Sequence, residues 1–430
     1  MYLPLIIFYV FLIHLSWRQM GNALNPIAIQ VSVWLVAFLY LSLDGRYIAI
    51  PINVQLFFLT ASIAFACGVG FWGIVSLKIS HQIAKQSRDE FYSSRLTKYI
   101  YYLVCAILFL GSLLFFSAYQ DLILANSSLA DYIAIARRNS VHGDGVVHEI
   151  SIIKQFPLFL NILCAYLLGQ YLHSKDKGLA KLLLIALAFS LIAGMVEGSR
   201  SLFFRFVVSF MMILLLARSA KSQKTPIRPI AVSIAALIFL FASIGALREG
   251  DDFSAYITNL GWVLQTPSKY LFGSLVLFGE RFPELHTVYS GLFTTGWMPE
   301  SFGKVSHDLV VGYTAYGLPE LGYGNTYTFL GPLINDYGIL GAIAIIFIQG
   351  VVSAYFYTYR DKNPFYLVTY SLLCSSLIFS TYSEYFITMF PIFVRIWLVY
   401  VFVIKLPQYF KGGLGRFNTS NSRFPKTGKK

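Results

Sequence analysis

Most Lys and Arg of this chain stand in a few short clusters, and six arginines fall on the opposite side from those clusters if the apolar runs alternate across a membrane: Arg137, Arg138, Arg200, Arg205, Arg248 and Arg281. A guanidinium stays charged at physiological pH and presents a planar fork of donors that matches phosphate oxygens. Arg200 sits in Glu197-Gly198-Ser199-Arg200-Ser201, and Arg205 follows among Phe203, Phe204 and Phe206. Gly198 and Ser199 would let backbone amides approach an anion where the next apolar run begins, so Ser199 joins Arg200 as a candidate phosphate binder. Arg248 closes another apolar run, in Leu247-Arg248-Glu249-Gly250-Asp251-Asp252. The same arginines also fit snorkelling to lipid headgroups, or pairing with Glu197 or Glu249. Arg137-Arg138 reads more simply as a solvated surface.

Four histidines fall on the same side as these arginines by that alternation: His142, His148, His286 and His307. His307-Asp308 has the form of a general base with an orienting carboxylate, and equally that of an ordinary surface pair. His142-Gly143-Asp144 and His148-Glu149 read as a polar loop, since their spacing matches no metal site and no second cluster supports one. No metal ligand set and no cofactor site is expected. The sequence holds no Walker phosphate loop, no Asp-x-Asp pair for a metal–nucleotide-sugar and no Gly-x-Ser-x-Gly elbow, which argues against ATP-driven transport and serine hydrolysis.

The elements that must position these groups follow from composition. The 430 residues are 57% hydrophobic and 12% charged, with a mean hydropathy of +0.65. Soluble domains carry roughly 25% charged residues, so this chain lacks the groups for a wet surface. The expected fold is an all-α integral membrane protein of about 11 transmembrane helices, with 10–12 admissible, and a large partly helical outer loop. Apolar runs cover 2–16, 27–43, 51–77, 99–119, 156–173, 178–196, 200–217, 229–247, 337–358, 364–381 and 386–406. Gly68, Gly70 and Gly73 in the long third run predict a tilt or a kink. Cys67, Cys105, Cys164 and Cys374 all lie inside apolar runs, which predicts buried free thiols.

The net charge of +13 does not call for nucleic acid. Lys78, Lys85, Arg88, Arg95 and Lys98 lie between runs three and four; Lys175, Lys177 and Lys181 between five and six; Arg218, Lys221, Lys224 and Arg228 between seven and eight. With alternating spans, all fall on the side of the basic tail, and that side is the cytoplasm. The amino terminus is then outside and the carboxyl terminus inside, as in a multi-pass protein of a cell inner membrane. The expected organisation is a first bundle over 1–247 with an outer loop at 120–155, a large outer loop over 248–336, three last spans over 337–406, and a basic cytoplasmic tail over 407–430. The large loop is acidic, aromatic and punctuated by Gly and Pro. Its end, 326–336, is apolar yet broken by Pro332 and Asn335, which predicts a half-buried or re-entrant piece.

Several short stretches resemble the O-antigen or oligosaccharide repeat-unit polymerases, the Wzy-type family. They are Gly198-Ser199-Arg200-Ser201, Arg248-Glu249, Gly296-Trp297-Met298-Pro299, and Asn325-Thr326-Tyr327-Thr328-Phe329-Leu330-Gly331-Pro332 with Asn335-Asp336-Tyr337-Gly338. The resemblance implies a metal-independent membrane glycosyltransferase of lipopolysaccharide or related polysaccharide biosynthesis. Its substrate would be an oligosaccharide on undecaprenyl pyrophosphate, handled at the outer face, and a chain-length regulator would be a partner. On that reading Arg200, Arg248, Arg281 and Ser199 bind the pyrophosphate, and His307 or Glu249 is the base. Trp297, Tyr313, Tyr316, Tyr323, Asn325 and Tyr327 hold sugars. An O-antigen ligase shares the donor and architecture and is the alternative, with a lipid-oligosaccharide flippase or other transporter as the second.

Overall fold

A computed structural model of the protein describes residues 2–43, 49–83, 95–118, 155–197, 200–222, 228, 231–232, 235, 273–280, 282, 314–315, 323–324, 328–381 and 386–406. Ten long helices carry most of them. In chain order these are α1 (Leu3–Met20), α2 (Pro26–Leu43), α3 (Ile52–Ile83), α4 (Arg95–Ala118) and α5 (Gln155–Ser174). There follow α6 (Lys177–Glu197), α7 (Arg200–Ser222), α8 (Leu330–Tyr359), α9 (Pro364–Ile378) and α10 (Phe390–Tyr400). A 3-10 turn, Phe379–Thr381, extends α9, and a π-helical turn, Val401–Lys405, extends α10. The two-residue strands β1 (Thr314–Ala315) and β2 (Tyr323–Gly324) pair antiparallel, Tyr323 opposite Ala315.

Seven of the described helices are long and apolar enough to cross a membrane. Their outward residues are apolar too: Ile7, Phe11, Leu56, Ile74, Leu103, Leu110 and Leu340 are all exposed. A helix satisfies its own backbone polar groups, so apolar side chains can face lipid on one side and a packed core on the other. The chain has the architecture of an all-α, multi-pass membrane protein.

Hydrogen bonds between sequence-distant residues sort the helix ends onto two faces. On one, the Ile50 amide donates to the Tyr2 hydroxyl (2.9 Å) and the Phe329 amide to the Ser380 carbonyl (2.9 Å). The starts of α1, α3 and α8 and the end of α9 therefore lie there. On the other face, Asn22 donates to the Ser219 hydroxyl (2.6 Å) and the Trp72 indole to the Thr358 hydroxyl (3.3 Å). That face gathers the end of α1, the start of α2 and the ends of α3, α7 and α8. This is the alternation read from the basic residues. The helical stretch 273–280, inside the expected outer loop, packs Phe278 against Phe58 near the start of α3, with ring centroids 5.3 Å apart.

Two glycine effects differ from each other. The helix α3 runs unbroken through Gly68, Gly70 and Gly73. Gly68 instead admits the backbone of α8, since a Cβ there would collide with the Phe347 carbonyl. The break comes in α8, at Gly338 (φ 68°, ψ 176°), a conformation open almost only to glycine. Before it, Leu330–Tyr337 forms a short helical piece with Leu330, Gly331, Leu333, Ile334 and Asp336 buried. Thr328, at the lead-in, is buried and left-handed (φ 59°), and its hydroxyl accepts the Leu330 amide at 3.2 Å. A β-branched residue takes that conformation only where its surroundings impose it. The clamp is visible in the adjoining Phe329–Ser380 bond and in the Trp34–Phe329 ring contact at 5.7 Å.

Candidate functional site

Four helices bring one stripe each to a common cavity of about 60 Å³, partly open to its surroundings. Helix α5 supplies Leu158, Asn161, Ile162 and Ala165, a spacing that puts all four on one helical face. Helix α7 adds Arg205, Phe206 and Ser209, and α10 adds Ile392, Arg395 and Ile396. Helix α9, running the other way, gives only Val368 and Leu372. The walls are almost wholly apolar, Arg205 and Arg395 are among the residues that line them, and among the described residues no acid does.

The levels of these groups follow from helix geometry. Arg205 lies five residues past Arg200 and Arg395 five past Phe390. At a rise of about 1.5 Å per residue, each sits about 7.5 Å below the first residue of its helix. Helix α10 starts on the face that holds the beginning of α5, because the Arg395 guanidinium donates to the Gln155 side-chain oxygen, and α7 runs from that face to the one where Ser219 meets Asn22. Just deeper, the Tyr166 hydroxyl donates to the Ile396 carbonyl (3.1 Å), locking α5 to α10. Ser209 and Asn161 lie about a turn below the arginines, and the Ser209 hydroxyl and the Asn161 Oδ1 are buried without a hydrogen-bond partner. A buried acceptor left unpaired carries a desolvation cost of about 1–3 kcal/mol, so this end of the cavity favours a donor from water or a ligand.

Two arginines among apolar walls, with two unpaired polar atoms nearby, suit the cavity to an amphiphile with an anionic group. Away from bulk water each charge contact counts for more. Of the sequence-derived candidates, Arg200 opens α7 one turn above Arg205 in the chain. Tyr323 lies in β2. Ser199, Arg248, Glu249, Arg281, Trp297, His307, Tyr313, Tyr316, Asn325 and Tyr327 lie outside the described residues.

Sequence reading singled out Arg205 and passed over Arg395. The signal for Arg395 was present, since it is a charged residue well inside the apolar run 386–406. Such a residue faces the interior of a bundle and carries function far more often than it faces lipid.

No protein-family model, curated protein or solved structure matches this chain.

Proposed function

We propose that the chain polymerises oligosaccharide repeat units carried on undecaprenyl pyrophosphate, as a metal-independent glycosyltransferase at the outer face of a bacterial-type inner membrane. It does so from eleven spans, with its amino terminus outside and its basic tail in the cytoplasm; the run 229–247 supplies the crossing between the end of α7 and the start of α8. The single observation that carries this reading is that Arg205 and Arg395 line one cavity to which, among the described residues, no acid contributes. Both arginines lie near the helix ends that the basic residues assign to the outside.

In the reaction, a hydroxyl of the incoming unit attacks the anomeric carbon of the growing chain's reducing-end sugar. The bond from that carbon to the pyrophosphate oxygen breaks, and the lipid pyrophosphate leaves with the electron pair. The hydroxyl proton passes to a base, for which His307 and Glu249 are the candidates. The chief demand is neutralising charge on the leaving group, which preorganised guanidinium donors meet. Arg205 and Arg395 hold the pyrophosphate, and Arg200, Arg248 and Arg281 are the further candidates for it that the sequence offers. The aromatic loop over 248–336 holds the sugars, and a chain-length regulator is the protein partner.

The test is surface polysaccharide made by cells carrying Arg205→Ala or Arg395→Ala, with membrane levels of the protein matched. Loss of the ladder, leaving single repeat units, supports polymerisation. Full-length polymer stranded on the carrier lipid reassigns the chain to ligation, and an unchanged ladder in both variants removes the reading.

A further inference from the structure

Helix α5 is bonded to α10 at two places that are far apart on one helix and adjacent on the other. The Gln155 side-chain oxygen, at the first residue of α5, accepts from the Arg395 guanidinium, and the Tyr166 hydroxyl donates to the Ile396 carbonyl. Gln155 and Tyr166 stand about 16 Å apart along α5 at the usual helical rise, whereas Arg395 and Ile396 are neighbours. Side chains on a helix lean toward its amino end, so the Arg395 side chain runs up α10 toward the level where α5 begins. Tyr166, fully buried, fixes α10 at the adjoining residue, and Gln155 fixes the guanidinium at the far end of its side chain.

The group that holds this arginine is neutral. Arg395 is half-buried and makes no ion pair among the described residues, and no acid among them lines the cavity. An amide oxygen takes one N–H donor and sets the direction of the guanidinium fork, but it leaves the positive charge whole. A carboxylate in the same place would form a charge-assisted pair and occupy the fork itself. A guanidinium aimed by a neutral acceptor and matched by no acid keeps its charge for an anion that comes from outside the chain.

We propose that Gln155 is a positioning residue of the anion site: it aims the Arg395 guanidinium and, being uncharged, leaves that charge available. This role rests on the anion-binding reading of Arg395 above, but not on which anion is bound. Gln155→Glu keeps the size and place of the acceptor while taking up the charge. It also puts a negative group in the first turn of α5, where the helix dipole favours one, so fold and site are driven in opposite directions.

The purified full-length chain in neutral detergent is titrated with dodecyl phosphate and, separately, with undecaprenyl pyrophosphate, and its melting transition is followed alongside. Gln155→Met, which has the length of glutamine without its acceptor, is expected to bind either probe about tenfold more weakly. Gln155→Glu is expected to bind about 100-fold more weakly and to melt at or above the wild-type temperature. A bond that only braced α5 against α10 would give the opposite order, since the carboxylate keeps it and the thioether does not. Affinity of Q155E equal to that of wild type, or no lower than that of Q155M, overturns the proposal, as does a Q155E chain that melts below wild type. Should Q155M fail to fold, the comparison of Q155E with wild type decides. The expected order with dodecyl phosphate, without binding of undecaprenyl pyrophosphate, upholds the role of Gln155 and removes the lipid pyrophosphate as ligand. A wild type that binds neither probe removes both.

Discussion

Gly68 of α3 and Gly350 of α8 occupy reciprocal positions where the two helices cross: each lies against the backbone three residues before the other, at Phe347 and Phe65. A Cβ on Gly68 would stand 3.1 Å from the Val351 nitrogen, and one on Gly350 3.2 Å from the Val69 nitrogen. Small residues permit this contact in a bilayer, where packing rather than the hydrophobic effect joins helices. Gly68→Ala and Gly350→Ala are each expected to destabilise the bundle by about 1–3 kcal/mol through overpacking. Thermal unfolding in detergent measures this, and the double variant should cost less than the sum, because one splayed crossing relieves both clashes. Strict additivity would contradict the reciprocal contact.

Gly338 is expected to resist substitution for a different reason. Its φ of 68° with ψ of 176° leaves open space around a Cβ, so strain rather than collision is the penalty. Gly338→Ala should cost about 1–3 kcal/mol and disturb the buried piece Leu330–Tyr337. Proteolytic sensitivity of Leu330–Tyr337, the part of α8 before the break, reads this directly; a variant as resistant as wild type would mean that the break is not needed.

The two-face arrangement makes an accessibility prediction. A cysteine at Ile52 is expected to react with a membrane-impermeant maleimide in intact cells. Cysteines at Asp176 and Asp361 are expected to react only in opened membranes. Native Cys105, Cys164 and Cys374 are buried and should stay silent in both. Labelling of Asp361→Cys from outside would invert the orientation and place the two-arginine cavity in the cytoplasmic half.

Much of the helical layout was legible because an apolar run of spanning length admits few alternatives, and the helices from α1 to α7 begin and end within a few residues of the runs. The faces were legible because Lys and Arg concentrate at the ends that Asn22–Ser219 and Trp72–Thr358 bring together. The use of the glycines was not, since Gly68 and Gly338 look alike in a one-dimensional pattern. One needs a partner 279 residues away to be explained, and the other needs the Phe329–Ser380 clamp. The site was half legible. Arg205 stood out at a run's edge; the charge of Arg395 inside 386–406 favoured an interior place, and its partner Gln155 is visible only in the fold. Arg200, Arg248 and the aromatic residues of the large loop remain sequence-based assignments.

The central claim is that Arg205 and Arg395 together hold the pyrophosphate of the donor. Its most direct test is single-turnover transfer by the purified chain, using synthetic repeat units on undecaprenyl pyrophosphate and comparing wild type with R205Q, R395Q and R205Q/R395Q. Loss of one such preorganised donor is expected to slow transfer about 10²–10³-fold. The double variant should fall no further than the product of the two losses and should keep the wild-type melting transition. Transfer at the wild-type rate by a folded R205Q/R395Q protein would contradict the claim.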